Sequence, residues 1–339
     1  MKIKFAFLIF ALLIFTACSS TDNSTEYSKE FFAMDTYVKF TAYGNNADAA
    51  LELAEKRFVE LEAMWSVTDE SSDIYAVNHA NGNSVTVSEQ TADLITYSLQ
   101  TANETNTFEP TIYPILTAWG FTTGENRVPS AEEIKELLHN VGSERVTVVG
   151  NSVRLEQGVQ LDLGAVGKGA AGDKVIQILK ENGITSALLD IGGNIQLIGQ
   201  KNGADWRLGI RSPFGEGTIG VLEISDAAIV TSGNYERFFT DENGISYGHI
   251  IDPSTGYPAD SGLASATIVA SEGKRADALS TAVFVMGLEN AAEFWREKRD
   301  FEMILILQNG EIYLTEGLKE RFTLNLAYDR GVHVIEYEN

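Results

Sequence analysis

The chain has 339 residues, of which 44% are hydrophobic and 10% aromatic, so it can bury a substantial core and is not expected to be disordered. Its 48 acidic residues outnumber its 25 basic ones, and the net charge of −23 repels nucleic acid and anionic lipid headgroups. We therefore expect no nucleic-acid partner. An anionic ligand would need a bound metal ion or a few well-placed basic side chains to neutralise it.

The start of the chain has the pattern of an export signal. Lys2 and Lys4 precede an apolar run over residues 5–15, which is too short to span a membrane comfortably. Cys18 is the only cysteine, so no disulfide can form within the chain, and FTAC at residues 15–18 resembles a bacterial lipobox. A simple signal peptide with an incidental cysteine is the alternative.

The lipobox resemblance divides the chain into three segments. Residues 1–18 would be a lipoprotein signal peptide, residues 19–29 a polar tether, and residues 30–339 the folded domain. We accordingly expect an exported protein that is lipid-anchored to the outer face of the bacterial cytoplasmic membrane.

Two segments have helical signatures. After the turn at residues 45–46, apolar residues recur at alternating spacings of three and four, which predicts an amphipathic helix. These residues are Leu51, Ala54, Phe58, Leu61 and Trp65. Further along, Ser130 and Glu133 form a capping-box pattern that predicts the start of a second helix, and Gly142 predicts its end.

Strand patterns dominate the rest of the chain. VTVVGNSVRLEQG at residues 146–158 contains a turn-forming Gly150–Asn151 pair, and MILILQNGEIYLT at residues 303–315 contains Asn309–Gly310. Both segments predict β-hairpins. Strands joined by hairpins and mixed with helices favour an α+β fold with largely antiparallel sheets and flanking helices.

The glycine-rich stretch GAVGKGA at residues 164–170 is not a Walker motif. Asp162 stands where the first glycine of that motif belongs, and Gly169 stands where a serine or threonine must follow the lysine. The sequence also has no GxGxxG after a predicted strand. It therefore predicts neither a P-loop nor a Rossmann nucleotide site.

A candidate metal site lies in RADALSTAVF. A helix there places Asp277 and Thr281 one turn apart on one face. A carboxylate beside a hydroxyl suits magnesium, which prefers oxygen ligands, keeps several water ligands and takes others from substrate phosphates. Asp277 is expected to be exposed near the start of the helix. The alternative is an acidic residue favoured by the helix dipole, with a threonine bonded back to the backbone.

The segment LDLGAVGKGAAGD, residues 161–173, is a candidate phosphate-binding loop. Its four glycines would let the backbone approach a pyrophosphate, and the helix expected to follow would favour an anion at its N-terminus. Lys168 would add a positive charge in an otherwise acidic protein. A lysine exposed to solvent before a helix is the alternative.

His249 is the candidate general base. It is one of four histidines and lies in a GHIIDP turn between a strand and a proline. With an ordinary pKa near 6.5 it could take a proton from a hydroxyl at neutral pH. A buried, hydrogen-bonded histidine with a structural role is equally compatible with the residues alone.

Several motifs, in their wording and in their order along the chain, resemble those of the ApbE family of FAD:protein FMN transferases. The resemblance extends over about Phe31 to Gly287. The motifs are FFAMDTYVKFTAYG, FEPTIYPILTAWGF, LDLGAVGKGAAGD, LLDIGGN, TSGNYERFF, YGHIIDPSTGYP and RADALSTAVFVMG. The resemblance implies an α+β, T-fold-related architecture with mixed, largely antiparallel sheets. Several motifs in order are far more specific than any one of them.

The resemblance also implies roles for individual residues. Asp277, Thr281 and the main-chain carbonyl of Ala165 would bind Mg²⁺, and His249 would be the catalytic base. The implied FAD-binding residues are Met34, Thr36, Thr107, Phe108, Glu109, Asp162, Lys168 and Ile251. The chain departs from the family pattern at Asp35, which replaces a glycine, and at Thr107 and Glu109, which replace a glycine and an aspartate.

Further residues in these motifs are expected to have supporting roles. Trp119 and Phe121 are predicted to be core aromatics. Asp173 is expected to be structural. The residues that we expect to organise loops beside the cofactor are Asn194, Ser232, Tyr235 and Glu236.

The resemblance implies transfer of FMN from FAD to a Thr or Ser hydroxyl of a partner flavoprotein, with Mg²⁺ as cofactor and release of AMP. The acceptor would be an exported or membrane protein of electron transfer. Two alternatives remain: an FAD pyrophosphatase that yields FMN and AMP, and a non-catalytic FAD-binding lipoprotein, which would have no use for a base beside the phosphate.

Overall fold

The computed structural model describes residues 25–337, so the predicted signal peptide and Cys18 lie outside the described residues. The α-helices are α1 (Ala47–Trp65), α2 (Asp73–Asn78), α3 (Glu89–Thr105), α4 (Tyr113–Trp119), α5 (Ala131–Leu138), α6 (Gly164–Glu181) and α7 (Gly273–Lys298). Within residues 25–337, no helix combines the length and the apolar character that crossing a membrane requires.

Strands make up most of the remaining regular structure. In chain order they are β1 (Glu26–Ala33), β2 (Thr36–Tyr43), β3 (Ser84–Thr86), β4 (Val146–Val149), β5 (Ser152–Leu155), β6 (Ala187–Ile191), β7 (Asn194–Ile198), β8 (Trp206–Arg211), β9 (Thr218–Ile224), β10 (Ala228–Ser232), β11 (Phe238–Thr240), β12 (Ser246–Gly248), β13 (Ile251–Asp252), β14 (Tyr257–Pro258), β15 (Leu263–Ala270), β16 (Phe301–Leu307), β17 (Ile312–Thr315), β18 (Phe322–Leu324) and β19 (Val332–Ile335). Short 3₁₀ helices lie at Ser143–Arg145 and Glu316–Leu318.

The largest sheet has nine strands in the order β1-β2-β6-β7-β10-β15-β16-β17-β19. Its neighbours are antiparallel, except that β17 and β19 run parallel. Smaller sheets have the orders β18-β9-β8, β3-β5-β4, β11-β12 and β13-β14. The predicted α+β class with largely antiparallel sheets is confirmed.

The central strands of the nine-stranded sheet are buried on both faces. Helices α1, α6 and α7 pack in the core on one face, whereas strands β8, β9 and β18 contribute to the core on the other. We call the core on the helical side the main core and the other the second core. Side chains alternate between them along β16, since Met303 and Leu305 belong to the main core and Ile304 and Ile306 to the second core. The two helices that carry the predicted phosphate and metal motifs therefore share one side of the sheet.

A smaller core lies apart from these two. Trp119 is fully buried there with Ile115, Ile134 and Ile251, and its indole N–H donates to the carbonyl of Gly256 at 2.9 Å. Phe121 packs on Trp119, with ring centroids 6.4 Å apart. The prediction of a core residue is confirmed for Trp119, whereas Phe121 is half-buried and packs against this group, which we call the aromatic core.

The predicted hairpins and the first helix are confirmed. The turn between β4 and β5 has Gly150 at φ 55°, and the turn between β16 and β17 has Gly310 at φ 89°. In α1, the apolar residues at the predicted spacing are all buried, because they face the sheet.

The predicted end of the second helix is wrong. The Ser130 hydroxyl accepts from the N–H of Glu133 at 3.2 Å, as expected, but α5 ends at Leu138. Beyond Leu138 the chain continues in tight turns. In one of them the N–H of Val141 donates to the carbonyl of Leu138. Gly142, at φ 149°, instead leads into a 3₁₀ helix.

The expected boundary between tether and domain also requires correction. β1 begins at Glu26 rather than after residue 29, and it pairs with β2 along its whole length. Tyr27 and Phe31 pack against the main core, which makes this polar-looking segment an edge strand. The folded part of the chain thus starts within the predicted tether.

Candidate active site

The glycine-rich segment at residues 161–173 is mostly helix, not the predicted loop. α6 starts at Gly164 and crosses α7, and a Cβ atom on Gly169 would lie 2.2 Å from the carbonyl oxygen of Gly273. A Cβ on Gly273 would in turn lie 2.5 Å from the carbonyl oxygen of Gly169. These glycines therefore let two helix backbones touch, and they are not available to wrap a phosphate.

Asp277 lies at this crossing. Its side chain is only 4% exposed, and Oδ2 accepts from the N–H of Gly169 at 2.8 Å. In an α-helix that N–H points toward the carbonyl of Ala165, four residues earlier, so the carboxylate lies beside the first turn of α6. The expectation that Asp277 is exposed is wrong, because α6 covers this part of α7.

The structure brings further predicted residues to α7. Thr281 follows Asp277 by one helical turn. The Thr107 hydroxyl donates to the carbonyl of Ala282 at 3.0 Å, which brings the segment at residues 107–109 to the same helix. Ser232 Oγ lies 2.8 Å from Ser280 Oγ and so joins the end of β10 to α7.

The residues predicted to bind a cation offer hard donor atoms. Within residues 25–337, no group of three or more His, Cys, Asp or Glu is placed to hold a metal ion. A carboxylate from Asp277, a hydroxyl from Thr281 and a carbonyl from Ala165 are all oxygen donors, which magnesium prefers over nitrogen or sulfur. Three protein oxygens would leave coordination positions for water and phosphate.

Asp162 and Lys168 flank the start of α6. Asp162 Oδ1 accepts from the N–H of Gly164 at 2.5 Å, and its own N–H donates to the carbonyl of Pro110 at 2.8 Å. Burial raises the pKa of Asp162, whereas the Gly164 N–H and the nearby Lys168 oppose that rise. Lys168 is half-buried, with Nζ 3.3 Å from the Gly164 carbonyl, and so is not simply a solvated surface lysine.

His249 is a half-buried histidine with a defined tautomer. Its Nδ1 lies 3.1 Å from the carbonyl of Arg237, and because a carbonyl only accepts, Nδ1 must carry the proton. Nε2 is then free to accept a proton. Burial lowers the pKa of His249 to about 4, and the positive charges of Arg237 and Lys168 contribute to the decrease. The expected pKa near 6.5 is therefore wrong for the ligand-free protein.

Lys168 links the charged groups around His249. Its positive charge favours lower pKa values for Asp162, Glu236 and His249, although burial keeps the pKa values of Asp162 and Glu236 above their ordinary values. Glu236 was expected to organise a loop, and the structure places it in this charged cluster.

Arg237 is a site residue that the sequence reasoning missed. Its guanidinium donates to the carbonyl of Phe121 at 3.1 Å, and its own carbonyl accepts from both Nδ1 and the backbone N–H of His249. The sequence does place this basic residue within the motif TSGNYERFF of a strongly acidic chain, which could have marked it as a candidate for binding an anion. Its pairing with His249, 12 residues away, could not be read from that signal.

Met34 and Asp35 form the two-residue turn between β1 and β2. Their φ values are 49° and 57°, as in a type I′ hairpin turn, where glycine or asparagine is favoured. Asp35 thus has a left-handed backbone conformation that favours glycine. The N–H of Met34 donates to Glu62 Oε1 at 2.5 Å, and Thr36 packs against Gly192, whose Cβ would lie 2.0 Å from Oγ1.

The other predicted FAD-binding residues have internal partners. Glu109 Oε1 accepts from the N–H of Thr111 at 3.0 Å, and Oε2 accepts from the N–H of Ser143 at 3.1 Å. Phe108 is 3% exposed in the main core, and Ile251 belongs to the aromatic core. Their side chains hold the loops beside Asp162 and His249 in place.

Asp173 has the structural role that was expected. Its carboxylate accepts from the N–H groups of Gly273 at 2.5 Å and Lys274 at 2.9 Å, so a residue of α6 caps the N-terminus of α7. Burial raises its pKa to about 6. Among the loop residues, the buried Asn194 Nδ2 and Tyr235 hydroxyl have no hydrogen-bond partner within residues 25–337.

Comparison with known proteins gives consistent results. Residues 34–305 match the model of the ApbE family. FAD:protein FMN transferases of Treponema pallidum and Klebsiella pneumoniae are each 32% identical, the first covering 90% of this chain and 91% of the relative, the second 93% and 99%. The crystal structure of the ApbE protein of Thermotoga maritima is similar with a TM-score of 0.83 at 34% identity, covering 88% and 99%. The apo flavinyl transferase ApbE of Pseudomonas stutzeri has a TM-score of 0.79 at 25% identity, covering 89% and 98%.

Proposed function

The chain belongs to the ApbE family, and on that premise we propose that it transfers FMN from FAD to a Thr or Ser hydroxyl of a partner protein, with Mg²⁺ as cofactor and AMP as the second product. The observation that carries the proposal is the arrangement around Lys168. The charge of Lys168 acts both on His249, whose Nε2 is free to accept a proton, and on Asp162 at the start of α6. Through the N–H of Gly169, α6 also contacts the buried carboxylate of Asp277.

The first requirement is binding of the FAD pyrophosphate by an acidic protein. Lys168 and Arg237 provide positive charge where the net charge of −23 would otherwise repel the ligand. The N-terminus of α6 adds the positive end of a helix dipole beside Lys168. The phosphates would therefore lie between the start of α6 and His249.

The second requirement is a cation. Asp277, Thr281 and the carbonyl of Ala165 would hold Mg²⁺, since the three offer only oxygen donors at the helix crossing. When bound, Mg²⁺ offsets the charge that develops on the departing phosphate.

The third requirement is a base that can act at neutral pH. With a pKa of about 4, His249 is neutral at pH 7 and able to accept a proton. An anionic pyrophosphate beside the ring favours the protonated imidazole and so raises its pKa in the FAD complex. The base thus becomes stronger when the substrate arrives.

The transfer step follows from these positions. His249 Nε2 takes the proton of the acceptor hydroxyl, and that oxygen forms a bond to the phosphorus of the FMN half of FAD. The bond between this phosphorus and the bridging oxygen breaks, and AMP leaves with that oxygen. The acceptor then carries FMN through a phosphoester bond.

We also propose that the protein is exported and lipid-anchored through Cys18 to the outer face of the cytoplasmic membrane. The support is the short apolar run followed by the only cysteine, in a lipobox-like FTAC. The unmodified chain should partition with membranes, and Cys18→Ser should lose both the anchor and its mass. Recovery of the mature protein with an unmodified Cys18 in the exported soluble fraction would contradict the anchor.

Incubation with FAD, Mg²⁺ and candidate exported flavoproteins, followed by mass spectrometry, tests the proposed activity. The expected result is an acceptor that gains the mass of FMN on a Thr or Ser, with one AMP released per FMN transferred. Release of FMN and AMP with no change in any acceptor would instead show an FAD pyrophosphatase. Binding of FAD without AMP release under any condition would show a carrier.

A further inference from the structure

Gln196 is a buried polar residue at the helix crossing that the transfer step does not use. It lies in β7, is 2% exposed, and faces α6 and α7 from the sheet. Its neighbours Ile195 and Leu197 point to the opposite face and pack in the second core. An amide therefore occupies a position where an apolar side chain would be expected.

Three glycines surround the Gln196 amide. A Cβ on Gly172 would lie 2.2 Å from Nε2, and a Cβ on Gly273 would lie 1.9 Å from it. Nε2 donates to the carbonyl of Gly169 at 2.9 Å. The absence of side chains on both helices thus creates a slot that the amide fills.

The amide has a role beyond filling space. Methionine would fill a similar volume without the desolvation cost of a buried amide, a cost that is largest when its hydrogen bonds are incomplete. Nε2 instead has two acceptors, the Gly169 carbonyl and Asn194 Oδ1, the latter at 3.4 Å. The bond to Gly169 connects Gln196 to a residue that contacts Asp277 in the proposed active site.

Gly169 connects Gln196 to Asp277. The carbonyl of Gly169 accepts from Gln196, while the N–H of the same residue donates to Asp277 Oδ2 at 2.8 Å. A shift of Gly169 relative to the sheet would therefore move the donor that orients the carboxylate. Mutation of a residue that orients a metal ligand in this way commonly weakens metal affinity by about 10–100-fold.

We propose that Gln196 is a positioning residue for the Mg²⁺ site, which acts by fixing Gly169 and, through it, the carboxylate of Asp277. The inference rests on the proposed function, because it takes Asp277 to be a magnesium ligand. It assigns to the sheet, through β7, a part in setting the affinity for the cation.

The test replaces the donor and keeps the volume. Gln196→Met removes the amide, and Leu197→Met is the matched control, because Leu197 is equally buried in the same strand but faces the second core. Mn²⁺ titrations followed by EPR, with and without FAD, measure cation affinity directly. Gln196→Met should bind Mn²⁺ about 10–100-fold more weakly than the unmodified protein, and Leu197→Met should bind it normally.

A kinetic measurement separates positioning from a structural role. At saturating Mg²⁺, Gln196→Met should recover AMP release to within about twofold of the unmodified protein, since only the apparent affinity for the cation is changed. If this variant folds poorly, Gln196→Leu provides the same test, because it also removes the donor to the Gly169 carbonyl and adds no charge near Asp277.

The possible failures are distinguishable. If the unmodified protein and Leu197→Met bind Mn²⁺ and the Gln196 variants bind it equally tightly, this inference is overturned while the proposed function stands. Loss of thermal stability without loss of Mn²⁺ affinity also overturns it. If the unmodified protein binds no Mn²⁺ with or without FAD, the magnesium site itself is wrong and the inference falls with it.

Discussion

The two halves of the proposed active site are built differently. The crossing of α6 and α7 is buried, and contacts between glycines and hydrogen bonds hold it together, with Gln196 on one side and Asp277 on the other. His249 instead follows a short surface hairpin, β11–β12, in which Phe238 is 55% exposed and Ile245 is 53% exposed. The aromatic core supports this hairpin from below, through Phe239 and Tyr247.

The difference predicts how each half responds to mutation. A change at the helix crossing should alter stability and cation affinity together, because the same contacts serve both. A change at His249 should alter chemistry with little effect on stability, since the residue follows a surface hairpin and is not part of the main core.

The largest expected effect is that of Asp277→Ala. It should abolish Mg²⁺-supported AMP release and also destabilise the fold by about 1–3 kcal/mol, because the buried N–H of Gly169 loses its acceptor. Asp277→Asn is the control, since its amide oxygen can still accept from Gly169 while the charge for the cation is lost. It should be inactive yet nearly as stable, as measured by AMP release and thermal unfolding. A fully active Asp277→Ala would remove Asp277 from the site.

A smaller expected effect is a difference in stability between alanine substitutions at two glycines of α6. Gly169→Ala should destabilise the protein by about 1–3 kcal/mol, because the new Cβ would meet the Gly273 carbonyl at 2.2 Å. Gly167→Ala should instead be neutral or stabilise by up to about 1 kcal/mol, because its nearest neighbour is the Trp65 ring at 4.0 Å and alanine favours the helix. Equal stabilities in chemical denaturation would contradict the close crossing.

The smallest expected effect concerns the cap that α6 provides to α7. Asp173→Ala should cost about 1 kcal/mol, whereas Asp173→Asn keeps an acceptor for the N–H groups of Gly273 and Lys274 and should cost less.

The pH dependence of this pair follows from the raised pKa of Asp173, about 6 against 3.8 when unfolded. Between these values the folded state binds more protons, so the unmodified protein should gain stability relative to Asp173→Asn as pH falls through this window. Thermal unfolding of both proteins against pH measures it, and an unchanged difference would show that Asp173 is not desolvated.

Much of the fold could be predicted because its signals are local. The spacing from Leu51 to Trp65 and the turn pairs Gly150–Asn151 and Asn309–Gly310 each define an element within a few residues. The order of the motifs also brought Asp162, Lys168, Asp277 and His249 forward as site candidates.

The errors came from contacts between distant segments. Four glycines in residues 164–172 oppose a helix by propensity, and the sequence does not show that Gly169 packs on Gly273 and Gly172 on Gln196. Burial of Asp277 depends on the same crossing. The low pKa of His249 depends on burial and on charges at Arg237 and Lys168, which the sequence around His249 does not contain.

Single-turnover release of AMP from FAD, with an acceptor peptide that contains a threonine, tests the role of His249 most directly. His249→Ala should bind FAD nearly as well as the unmodified protein but release AMP ~10²–10⁴-fold more slowly, and the deficit should shrink as pH rises, since hydroxide can replace the base.

The pH profile of the unmodified protein sharpens this test. Because burial lowers the pKa of free His249 to about 4, kcat/KM should stay level from about pH 8 to pH 5, whereas a histidine of pKa 6.5 would cause a decline. If His249→Ala and the unmodified protein release AMP equally fast at every pH, His249 is only a structural turn residue and the account is contradicted.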